Sequence, residues 1–507
     1  MLRKIRITLA AVFFVCITWL FLDFTGTAYG WLAWMTKLQF LEALLALNLA
    51  VIIGLVVVTL VFGRIYCSII CPLGVMQDIF GWMGKKAKKN RYSFSKAISW
   101  LRYTMLGIMV VAITAGIGTL FQLLAPYSAF GRIATTLLQP LWKMGNNVLA
   151  TLAEQADSYA FYQVETGLPN ANVVMCIALA TLVILLVLAW RNGRTYCNTI
   201  CPVGTLLSFC SRFSFLKIHF DESKCRNCSM CSKNCKAACI DYKTHLVDYS
   251  RCVVCGNCIE SCKFGALSYS RLSISSKNNE TSKTSATHGT SKASSSGIDE
   301  SKRSFLVTAA LLTTAAMAQQ KDKVMDGGLA EIQDKVAPKR QTPLAPPGAR
   351  SLDNLEQHCT GCQLCVSECP NQVLRPSSDL QHLMMPTMSY EMGYCRPECN
   401  RCSQVCPAGA IKPIEKEDKS STQIGHAIWI KKNCVVLTDG VECGNCARHC
   451  PVGAIEMVPC DPNDEESPAV PAVNEARCIG CGSCEYLCPA RPYSAIYVEG
   501  HEVHKEI

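Results

Sequence analysis

The sequence lacks the signatures by which many redox proteins hold their organic cofactors. It has no Cys-x2-Cys-His motif for attaching haem, and no motif for binding a flavin or a dinucleotide. Charged residues make up only 17% of the chain, and its basic residues flank apolar runs instead of forming one face. The low charge and the position of the basic residues exclude a nucleic-acid partner. The missing cofactor motifs indicate that any substrate catalysis lies on a partner protein.

What the sequence has instead is cysteine, at 33 of its 507 positions. Extracellular disulfide scaffolds are short chains, and their cysteines do not recur in x2-x2-x3 strings. Here 24 cysteines fall into six such runs and four into two Cys-x3-Cys-Pro motifs, which leaves five. Runs of this kind are typical of iron–sulfur ligand sets.

Two adjacent runs make up the stretch from Cys225 to Cys262. They read Cys225-x2-Cys228-x2-Cys231-x3-Cys235 and Cys252-x2-Cys255-x2-Cys258-x3-Cys262. In two-cluster bacterial ferredoxins, three closely spaced thiolates hold one 4Fe–4S cluster, and the fourth ligand comes from the other run. Zinc is the alternative, but zinc sites use two Cys-x2-Cys pairs and not a triplet with a trailing fourth cysteine.

Four more runs follow, starting at Cys359, Cys395, Cys434 and Cys478. The second and third of these have longer first spacings, of three and eight residues, which only lengthen a surface loop. Cross-tying by the ferredoxin rule predicts six 4Fe–4S sites, numbered here by their first ligands. Sites 1 and 2 are Cys225, Cys228, Cys231 with Cys262, and Cys252, Cys255, Cys258 with Cys235. Sites 3 to 6 are Cys359, Cys362, Cys365 with Cys406; Cys395, Cys399, Cys402 with Cys369; Cys434, Cys443, Cys446 with Cys488; and Cys478, Cys481, Cys484 with Cys450.

Four apolar segments precede the first run, at 7–24, 40–62, 100–125 and 172–190. Each is near the ~20 residues that span a bilayer as a helix. Basic residues lie before the first segment, between the second and third, and after the fourth, so the positive-inside rule predicts four spans with a cytoplasmic amino terminus. These basic residues are Arg3, Lys4, Arg6, Lys85, Lys86, Lys88, Lys89, Arg91, Arg102, Arg191 and Arg194.

A twelve-residue motif, Gly-Arg-x-Tyr-Cys-x3-Cys-Pro-x-Gly, starts at Gly63 and again at Gly193. The repeat predicts two pseudo-symmetric helical hairpins that bring four thiols together, with both cysteines of a motif on one helix face. Four thiols suit a small iron–sulfur site, a copper or other soft-metal site, or a redox dithiol. The alternative is that Cys-Pro only shapes the turn that leaves each helix. These candidate catalytic residues are Cys67, Cys71, Cys197 and Cys201.

Glu42 is a further catalytic candidate, because it is a carboxylate inside the second apolar segment. Ionisable residues within a membrane are functional candidates by default. So near an interface, the alternative is a snorkelling side chain. Of the five remaining cysteines, Cys16, Cys176, Cys210 and Cys460 fit no spacing, and we interpret them as structural thiols.

The motif pair on four spans, followed by a two-cluster ferredoxin, resembles the NapH family of membrane ferredoxin-type proteins. The resemblance covers residues 1 to about 270 and implies quinol oxidation that feeds a periplasmic reductase. The related NosR and CcoG groups share the motif and serve maturation or metal handling. The sequence departs from the family at Lys236 and Lys263, which replace a proline, and at Cys239, which we interpret as a packing residue.

The stretch after the first ferredoxin run predicts a flexible linker at 271–303, rich in Ser, Thr, Lys and Asn. The sequence Ser-Lys-Arg-Ser-Phe-Leu at 301–306 and the apolar run behind it resemble a twin-arginine export signal. A cytoplasmic amphipathic or buried helix is the alternative. Net charge changes from +17 over residues 1–318 to −7 beyond. An export-like segment before four clusters resembles the NapG family, so the whole chain resembles a NapH–NapG fusion.

The predicted fold is an α-helical membrane domain, with four spans plus one short signal-like segment, and α+β bacterial-ferredoxin-like two-cluster modules. The predicted divisions are a membrane domain at 1–215, a cytoplasmic ferredoxin module at 216–270, the Ser-rich linker at 271–303, a signal-like or anchoring segment at 304–320, a second linker at 321–350, and a four-cluster domain at 351–507.

The resemblance implies a multi-pass protein of the cytoplasmic membrane that oxidises quinol and relays electrons through six 4Fe–4S clusters. Its first ferredoxin module would be cytoplasmic and its carboxy-terminal domain periplasmic. The electrons would reach a soluble or membrane-attached reductase or cytochrome, such as a nitrate reductase. Two other functions stay open: a maturation or metal-handling factor whose Cys-x3-Cys-Pro motifs bind copper, and a cytoplasmic ferredoxin:quinone module.

Overall fold

The computed structural model describes residues 2–87, 92–158, 160–164, 172–271, 333–464 and 467–507. The ranges Met1–Leu272 and Lys335–Ile507 form one compact unit. Several predictions lie outside the described residues. They are the signal-like segment at 304–320, all but the first residue of the linker at 271–303, the first part of the linker at 321–350, and the basic residues Lys88, Lys89 and Arg91.

The amino-terminal region, here called the helical domain, is built from helices α1 to α13. A π-helical turn, Ala134–Leu138, joins α9 to α10. The helices are α1 Leu2–Leu22, α2 Tyr29–Lys37, α3 Phe40–Leu45, α4 Leu49–Phe62, α5 Tyr66–Ile69, α6 Pro72–Lys86, α7 Ser99–Thr114, α8 Gly118–Leu124, α9 Pro126–Ile133, α10 Gln139–Gln155, α11 Asn172–Asn192, α12 Thr195–Thr199 and α13 Pro202–Arg212.

Two helices in the described part of the chain are long and apolar enough to cross a membrane, Leu2–Leu22 and Val173–Asn192. The prediction of four spans is therefore not confirmed. The second predicted span is divided at Leu47, whose left-handed φ of 53° separates α3 from α4. The third is divided at Gly116, with φ of 70°, between α7 and α8. Glycine adopts this conformation without the steric cost that a side chain brings.

The helices α1, α4, α7 and α11 alternate in direction between two ferredoxin-like modules. The start of α1, the end of α4, the start of α7 and the end of α11 contact the first module. The polar contacts there join Arg3 to Glu260, Phe62 to Tyr269, Arg102 to Ser250, and Arg194 to Lys236. The segments at the opposite ends contact the second module, through Tyr29 with Gln404, Gln122 with Cys359, Gln139 with Ser367, and Val174 with Met384.

The first module is a small α+β unit at the end of α13. Strand β1 pairs antiparallel with β4, with Leu216 opposite Arg271, and β2 pairs with β3. A 3₁₀ turn, Glu222–Lys224, precedes the first ligand. The elements are β1 Leu216–Phe220, α14 Met230–Lys233, β2 Ile240–Asp241, β3 Leu246–Val247, α15 Asn257–Ser261 and β4 Leu267–Arg271.

The second module consists of short helices and three antiparallel strand pairs, β5 with β6, β7 with β10, and β8 with β9. A 3₁₀ turn spans Lys431–Asn433. Its helices are α16 Leu352–His358, α17 Leu364–Ser367, α18 Arg401–Val405, α19 Lys416–Ser421, α20 Val435–Thr438, α21 Asn445–Arg448 and α22 Ser483–Leu487. Its strands are β5 Leu374–Pro376, β6 Pro386–Met388, β7 Thr422–Trp429, β8 Ile455–Pro459, β9 Ala469–Val473 and β10 Ile496–Glu506.

Residues 333–350 belong to the second module, although the sequence predicts a linker there. The Lys335 ammonium donates to three backbone carbonyls at the end of α22, at 2.6–3.1 Å. Arg340 forms an ion pair of 2.6 Å with the buried carboxylate of Glu485, and Leu344 is 1% exposed. The module therefore begins earlier than the predicted boundary at 351.

One hydrophobic core continues from the helical domain into the second module. Phe21 and Phe130 meet edge-on, with 6.0 Å between their ring centroids. Beside them, a Cβ added to Gly131 would lie 2.2 Å from the carbonyl oxygen of Cys362. The missing side chain at Gly131 therefore lets the ligand loop of site 3 approach the helices directly.

Candidate iron–sulfur sites and a buried four-cysteine site

The trailing cysteine is held in the same way in four of the six runs. Its Sγ accepts a backbone N–H from a residue a few positions later, at 3.2–3.5 Å. The pairs are Cys262 with Ala266, Cys406 with Ile411, Cys450 with Ala454, and Cys488 with Ala495. Hydrogen bonds to ligand sulfurs are among the interactions that set the reduction potential of an iron–sulfur cluster.

Three of the predicted ligand sets each line a separate small cavity. In each, three cysteines come from one run and the fourth from the neighbouring run, which is the cross-tied arrangement. The sets are Cys225, Cys228, Cys231 and Cys262 at site 1; Cys369, Cys395, Cys399 and Cys402 at site 4; and Cys450, Cys478, Cys481 and Cys484 at site 6.

The structure also brings together the other three predicted sets. Within each set, one central thiol lies close enough to its neighbours to interact electrostatically. These contacts join Cys258 to Cys252, Cys255 and Cys235 at site 2; Cys365 to Cys359, Cys362 and Cys406 at site 3; and Cys446 to Cys443 and Cys488 at site 5. Cys434 lies in the same hydrophobic cluster as Cys446.

Four thiols around a small apolar cavity fit a 4Fe–4S cluster, since its irons are held by cysteine thiolates. Among the described residues, no three His, Cys, Asp or Glu side chains are grouped closely enough to hold a single metal ion. When bound, such a cluster supplies a one-electron redox centre.

Neighbouring sites in the second module are linked through their ligands. The backbone N–H of Cys395 at site 4 donates to the carbonyl oxygen of Cys481 at site 6, at 3.0 Å. Two further pairs of thiols lie near each other, Cys365 with Cys402 and Cys484 with Cys446. The order of the sites in space is therefore 3, 4, 6 and 5.

Cys239, interpreted from the sequence as a packing residue, lies beside site 2. It is 1% exposed, and its Sγ is 3.5 Å from the Sγ of Cys235. It also forms a side-chain hydrogen bond with Cys252. Burial agrees with a packing role, but the position makes Cys239 a second candidate for the fourth ligand.

Replacing Cys235 by Ala should remove about four iron atoms per chain, whereas replacing Cys239 by Ala should leave the iron content unchanged. The reason is that Cys235 occupies the trailing position that closes the cross-tied set. Iron and protein analysis of the purified full chain measures both. The opposite pattern would transfer the fourth ligand of site 2 to Cys239.

The four cysteines of the repeated motif lie together inside the helical domain, at what we call the four-cysteine site. Cys67, Cys71, Cys197 and Cys201 are each 3–4% exposed. Cys71 lies close enough to the other three to interact electrostatically. In each motif, a proline in the first turn begins the helix that follows the second cysteine, α6 or α13. Proline suits this position because its missing N–H has no partner in a first turn.

The arginine of each motif reaches across into the other motif. The Nη2 of Arg64 donates to the carbonyl oxygen of Cys197 at 3.3 Å. In the same way, Nη1 of Arg194 donates to the carbonyl oxygen of Cys67. Both arginines are fully buried. The two halves of the site therefore have an approximate two-fold relation, in which each half completes the other.

The last glycine of each motif leaves room for these crossing contacts. A Cβ on Gly74 would lie 2.3 Å from the carbonyl oxygen of Cys67. A Cβ on Gly204 would lie 2.4 Å from that of Cys197, and 2.8 Å from Nη2 of Arg64. Backbone atoms cannot give way by that much, so both glycines are required by the packing.

Three hydrogen-bond donors point at the sulfur atoms of the site. Gln77 Nε2 lies 3.1 Å from the Sγ of Cys197, and Arg64 Nη2 lies 3.8 Å from the Sγ of Cys67. The backbone N–H of Gly204 donates to the Sγ of Cys201 at 3.4 Å. Donors and positive charge favour thiolates, which are the form that binds metal.

A buried charge network ties this region to the first module. The carboxylate of Asp78 on α6 pairs with Arg6 at 2.8 Å, with Arg194 at 2.8 Å, and with Lys236 at 3.2 Å. Lys236 is one of the lysines that replace the proline expected after the fourth ligand. It therefore contributes a charge that proline could not.

Two side chains lie between the four-cysteine site and site 3. Tyr66 and Tyr196 directly precede the first cysteine of each motif and are buried. Tyr66 interacts electrostatically with Glu42, and Tyr196 with Arg132. Both Glu42 and Arg132 in turn interact with Cys362, a predicted ligand of site 3.

Glu42 is not a snorkelling residue. It is 1% exposed, on the short helix α3, and its Oε1 has no hydrogen-bond partner among the described residues. The break between α3 and α4 turns it into the domain, so the interfacial alternative is wrong. A functional role for Glu42 stays a prediction.

Of the cysteines outside every spacing, Cys16 and Cys210 are partly buried, whereas Cys176 and Cys460 are exposed. Asp78 and Arg132 were not singled out by the sequence. A signal for Asp78 does exist, because it is the one acidic residue between Glu42 and Glu154. Arg132 has no comparable signal, since its partners are distant along the chain.

Three family models match five segments of the chain. A model described as a 4Fe-4S binding domain matches residues 44–90 and 174–220, the two segments that carry the Cys-x3-Cys-Pro motifs. A 4Fe-4S dicluster domain matches residues 358–423 and 441–491, and a further 4Fe-4S binding domain matches residues 245–268. The prediction of 4Fe–4S binding is confirmed at this level.

Several known proteins are similar in sequence. The methylamine utilization ferredoxin-type protein MauM of Methylobacillus flagellatus is 31% identical over 169 residues, which are 32% of this chain and 70% of MauM. The putative electron transport protein YccM of Escherichia coli is 24% identical over 41% of this chain and 54% of its own length. The ferredoxin-type protein NapF of Escherichia coli is 24% identical over 32% and 90%, respectively. No solved structure matches the chain.

Proposed function

The chain belongs to the family of ferredoxin-type iron–sulfur electron-transfer proteins that includes MauM, and we propose that it oxidises quinol in the cytoplasmic membrane and passes the electrons to a reductase. The partner would be a soluble or membrane-attached reductase or cytochrome, such as a nitrate reductase. The specific likeness to a NapH–NapG fusion is part of this proposal.

The observation that carries the proposal is the placement of two ferredoxin modules at opposite ends of the same helices. The four-cysteine site lies between them. On one side, Arg64 donates to the carbonyl oxygen of Ser250 at 2.9 Å, two residues before the first ligand of site 2. On the other side, Glu42 and Arg132 each interact electrostatically with Cys362, a predicted ligand of site 3. The proposed order of sites is 1, 2, the four-cysteine site, 3, 4, 6 and 5.

The proteins that hold redox centres set their spacing, their potential and their access to solvent. In this chain cysteine thiols would hold each centre, and hydrogen bonds from backbone N–H groups and from Arg64 would favour their thiolate form. The match of a 4Fe–4S model to both motif segments supports an iron–sulfur group at the four-cysteine site over copper or a dithiol. Iron above about twenty-four atoms per chain would indicate a cluster there as well.

The outward faces of the helical domain support a membrane location. Large apolar side chains on four helices are more than half exposed: Val15 at 58%, Ile53 at 61%, Val111 at 61% and Val183 at 57%. Soluble monomers rarely expose such a belt. Basic residues collect near the first module, at Arg3 and Lys85, which supports a cytoplasmic position for that module and an external one for the second.

When a reduced naphthoquinol is mixed with the purified full chain, we expect it to reduce the clusters and so to bleach their iron–sulfur absorption. A quinone-site inhibitor should prevent this bleaching. An absorption that responds to a strong chemical reductant but never to quinol would refute the quinol step and leave only electron transfer.

Protease added outside spheroplasts should cut the second module and spare the first. Protection of both would favour the cytoplasmic ferredoxin:quinone function.

A further inference from the structure

A groove opens on the side of the helical domain between α1 and α10. Its volume is about 360 Å³. Aromatic rings form its walls, from Phe14 and Trp19 on α1, Phe24 just beyond α1, and Trp142 on α10. Such a volume, lined by rings and with few polar groups, has the size and chemistry of a small-molecule site.

The mouth of the groove lies on the apolar outer face of the domain. Trp19 is 54% exposed and Trp142 is 49% exposed. Leu141 and Val148 of α10 extend the same apolar face. A hydrophobic molecule dissolved in the bilayer could therefore enter sideways, without crossing water.

One end of the groove is polar. Asp23 is 7% exposed, and its carboxylate accepts backbone N–H groups from Thr25, Gly26 and Ala28 at 2.7–3.1 Å. The hydroxyl group of Thr25 also donates to it, at 2.6 Å, and together these bonds fix the carboxylate. Asn146 of α10 faces the same space. The groove thus offers hydrogen-bond acceptors at one end and rings along its length.

Residues next to the groove lie near the ligand loops of site 4. Next to Trp142, Lys143 interacts electrostatically with the thiol of Cys369. At the polar end, Gly26 packs against the guanidinium of Arg401, the residue before the ligand Cys402. Gln139, at the start of α10, donates to the carbonyl oxygen of Ser367 at 3.1 Å.

We propose that this groove binds the ring of an isoprenoid quinol and delivers its electrons to site 4, an inference that rests on the proposed function. An acyl chain of a lipid would use the apolar walls, but it would use neither the polar end nor the contact with a redox site. A quinol uses all three. Its ring fits between Trp19 and Trp142, and one of its two hydroxyl groups points to the polar end formed by Asp23 and Asn146.

The reaction balances as one quinol giving one quinone, two protons and two electrons. The two O–H bonds break, one of them beside Asp23, and both protons pass to water. The electrons would leave one at a time. A 4Fe–4S cluster held by the ligands of site 4 would accept the first and pass it to a neighbouring site before it accepted the second, so that two one-electron acceptors take up the pair. Asp23 orients the hydroxyl group as a hydrogen-bond acceptor.

The test is a binding measurement on the full chain in detergent, titrated with 2,3-dimethyl-1,4-naphthoquinone and followed by tryptophan fluorescence. Trp19→Phe and Trp142→Phe should each reduce the amplitude of quenching while affinity changes little, because phenylalanine still stacks. Trp100→Phe, on α7 at the other end of the domain, should leave both unchanged. Thr18→Trp, which fills the groove, should weaken binding at least about tenfold.

The iron content of each variant shows whether it has folded. Unchanged affinity in Thr18→Trp, together with unchanged amplitude in Trp19→Phe and Trp142→Phe, would overturn the groove as the site. If quinol still reduces the clusters of these variants at the wild-type rate, the quinol function survives and only its location is wrong. If quinol reduces no cluster in the wild-type chain, the function itself fails.

Discussion

Replacing Asp78 by Ala should destabilise the chain by about 3–5 kcal/mol, because it leaves two buried arginines and a partly buried lysine without their counter-charge. Arg6, Arg194 and Lys236 all pair with this one carboxylate. The effect should reach the first ferredoxin module, since Lys236 follows a ligand of site 2. The melting temperature of the purified protein and its iron content measure the two consequences.

The same network gives a pH dependence with a definite sign. Burial raises the pKa of Asp78, but Arg194, Lys236 and Arg6 outweigh it and hold that pKa well below the usual range. A lowered pKa adds stability above the unfolded value of about 3.9, and this stability is lost as the pH falls through the folded pKa. The difference between wild type and Asp78→Asn should therefore be constant at neutral pH and shrink below about pH 4.

The matched control for Asp78 is Asp221→Asn. Asp221 also forms an ion pair, at 2.8 Å with Lys224, but both side chains are exposed. Exposed pairs contribute little, since water solvates the charges equally well. Equal melting temperatures for the Asp78 and Asp221 variants would mean that the charge network around Asp78 does not stabilise the fold.

Replacing Cys67 by Ser should cut the connection between the two ferredoxin modules while the six predicted sites keep their iron. Cys67 adjoins Tyr66, which interacts with Glu42 on the side of site 3. In the same motif, Arg64 donates to the carbonyl oxygen of Ser250 on the side of site 2. Quinol would then reduce only the sites of the second module. Electron uptake per chain, followed by iron–sulfur absorption, should fall by about one third, because two of six sites are cut off.

The control for Cys67→Ser is Cys176→Ser, which removes an exposed thiol on α11 and should change nothing. A Cys67→Ser, Cys197→Ser double variant tests the unit as a whole. Full electron uptake in the double variant would reduce the Cys-x3-Cys-Pro motifs to turns that end two helices.

The ligand sets could be predicted from the sequence because their spacing is local. Three thiols such as Cys359, Cys362 and Cys365 come from a single tight loop, and the trailing cysteine follows after three intervening residues. The repeat around Cys67 and Cys197 was visible for the same reason. Residues that are close in sequence stay close in the folded chain, so these cysteines lie together as the pattern predicts.

The breaks in the helices and the charge network could not be read in the same way. Nothing in the apolar run at 40–62 marks Leu47 as left-handed, and that turn decides that Glu42 is buried. Likewise Lys236 is 158 positions from Asp78. Interactions of this kind depend on how distant elements pack, and the residues involved have no fixed spacing.

The crossed arginines also bear on how such a chain could arise. Because Arg64 bonds to the carbonyl oxygen of Cys197, and Arg194 to that of Cys67, one motif by itself leaves its arginine without this carbonyl partner. A chain with a single copy could complete the arrangement only by pairing with a second copy about a two-fold axis. The internal repeat therefore corresponds to such a homodimer, with its two copies joined in one chain. After duplication, the two halves were free to diverge, with Glu42 facing one tyrosine and Arg132 the other.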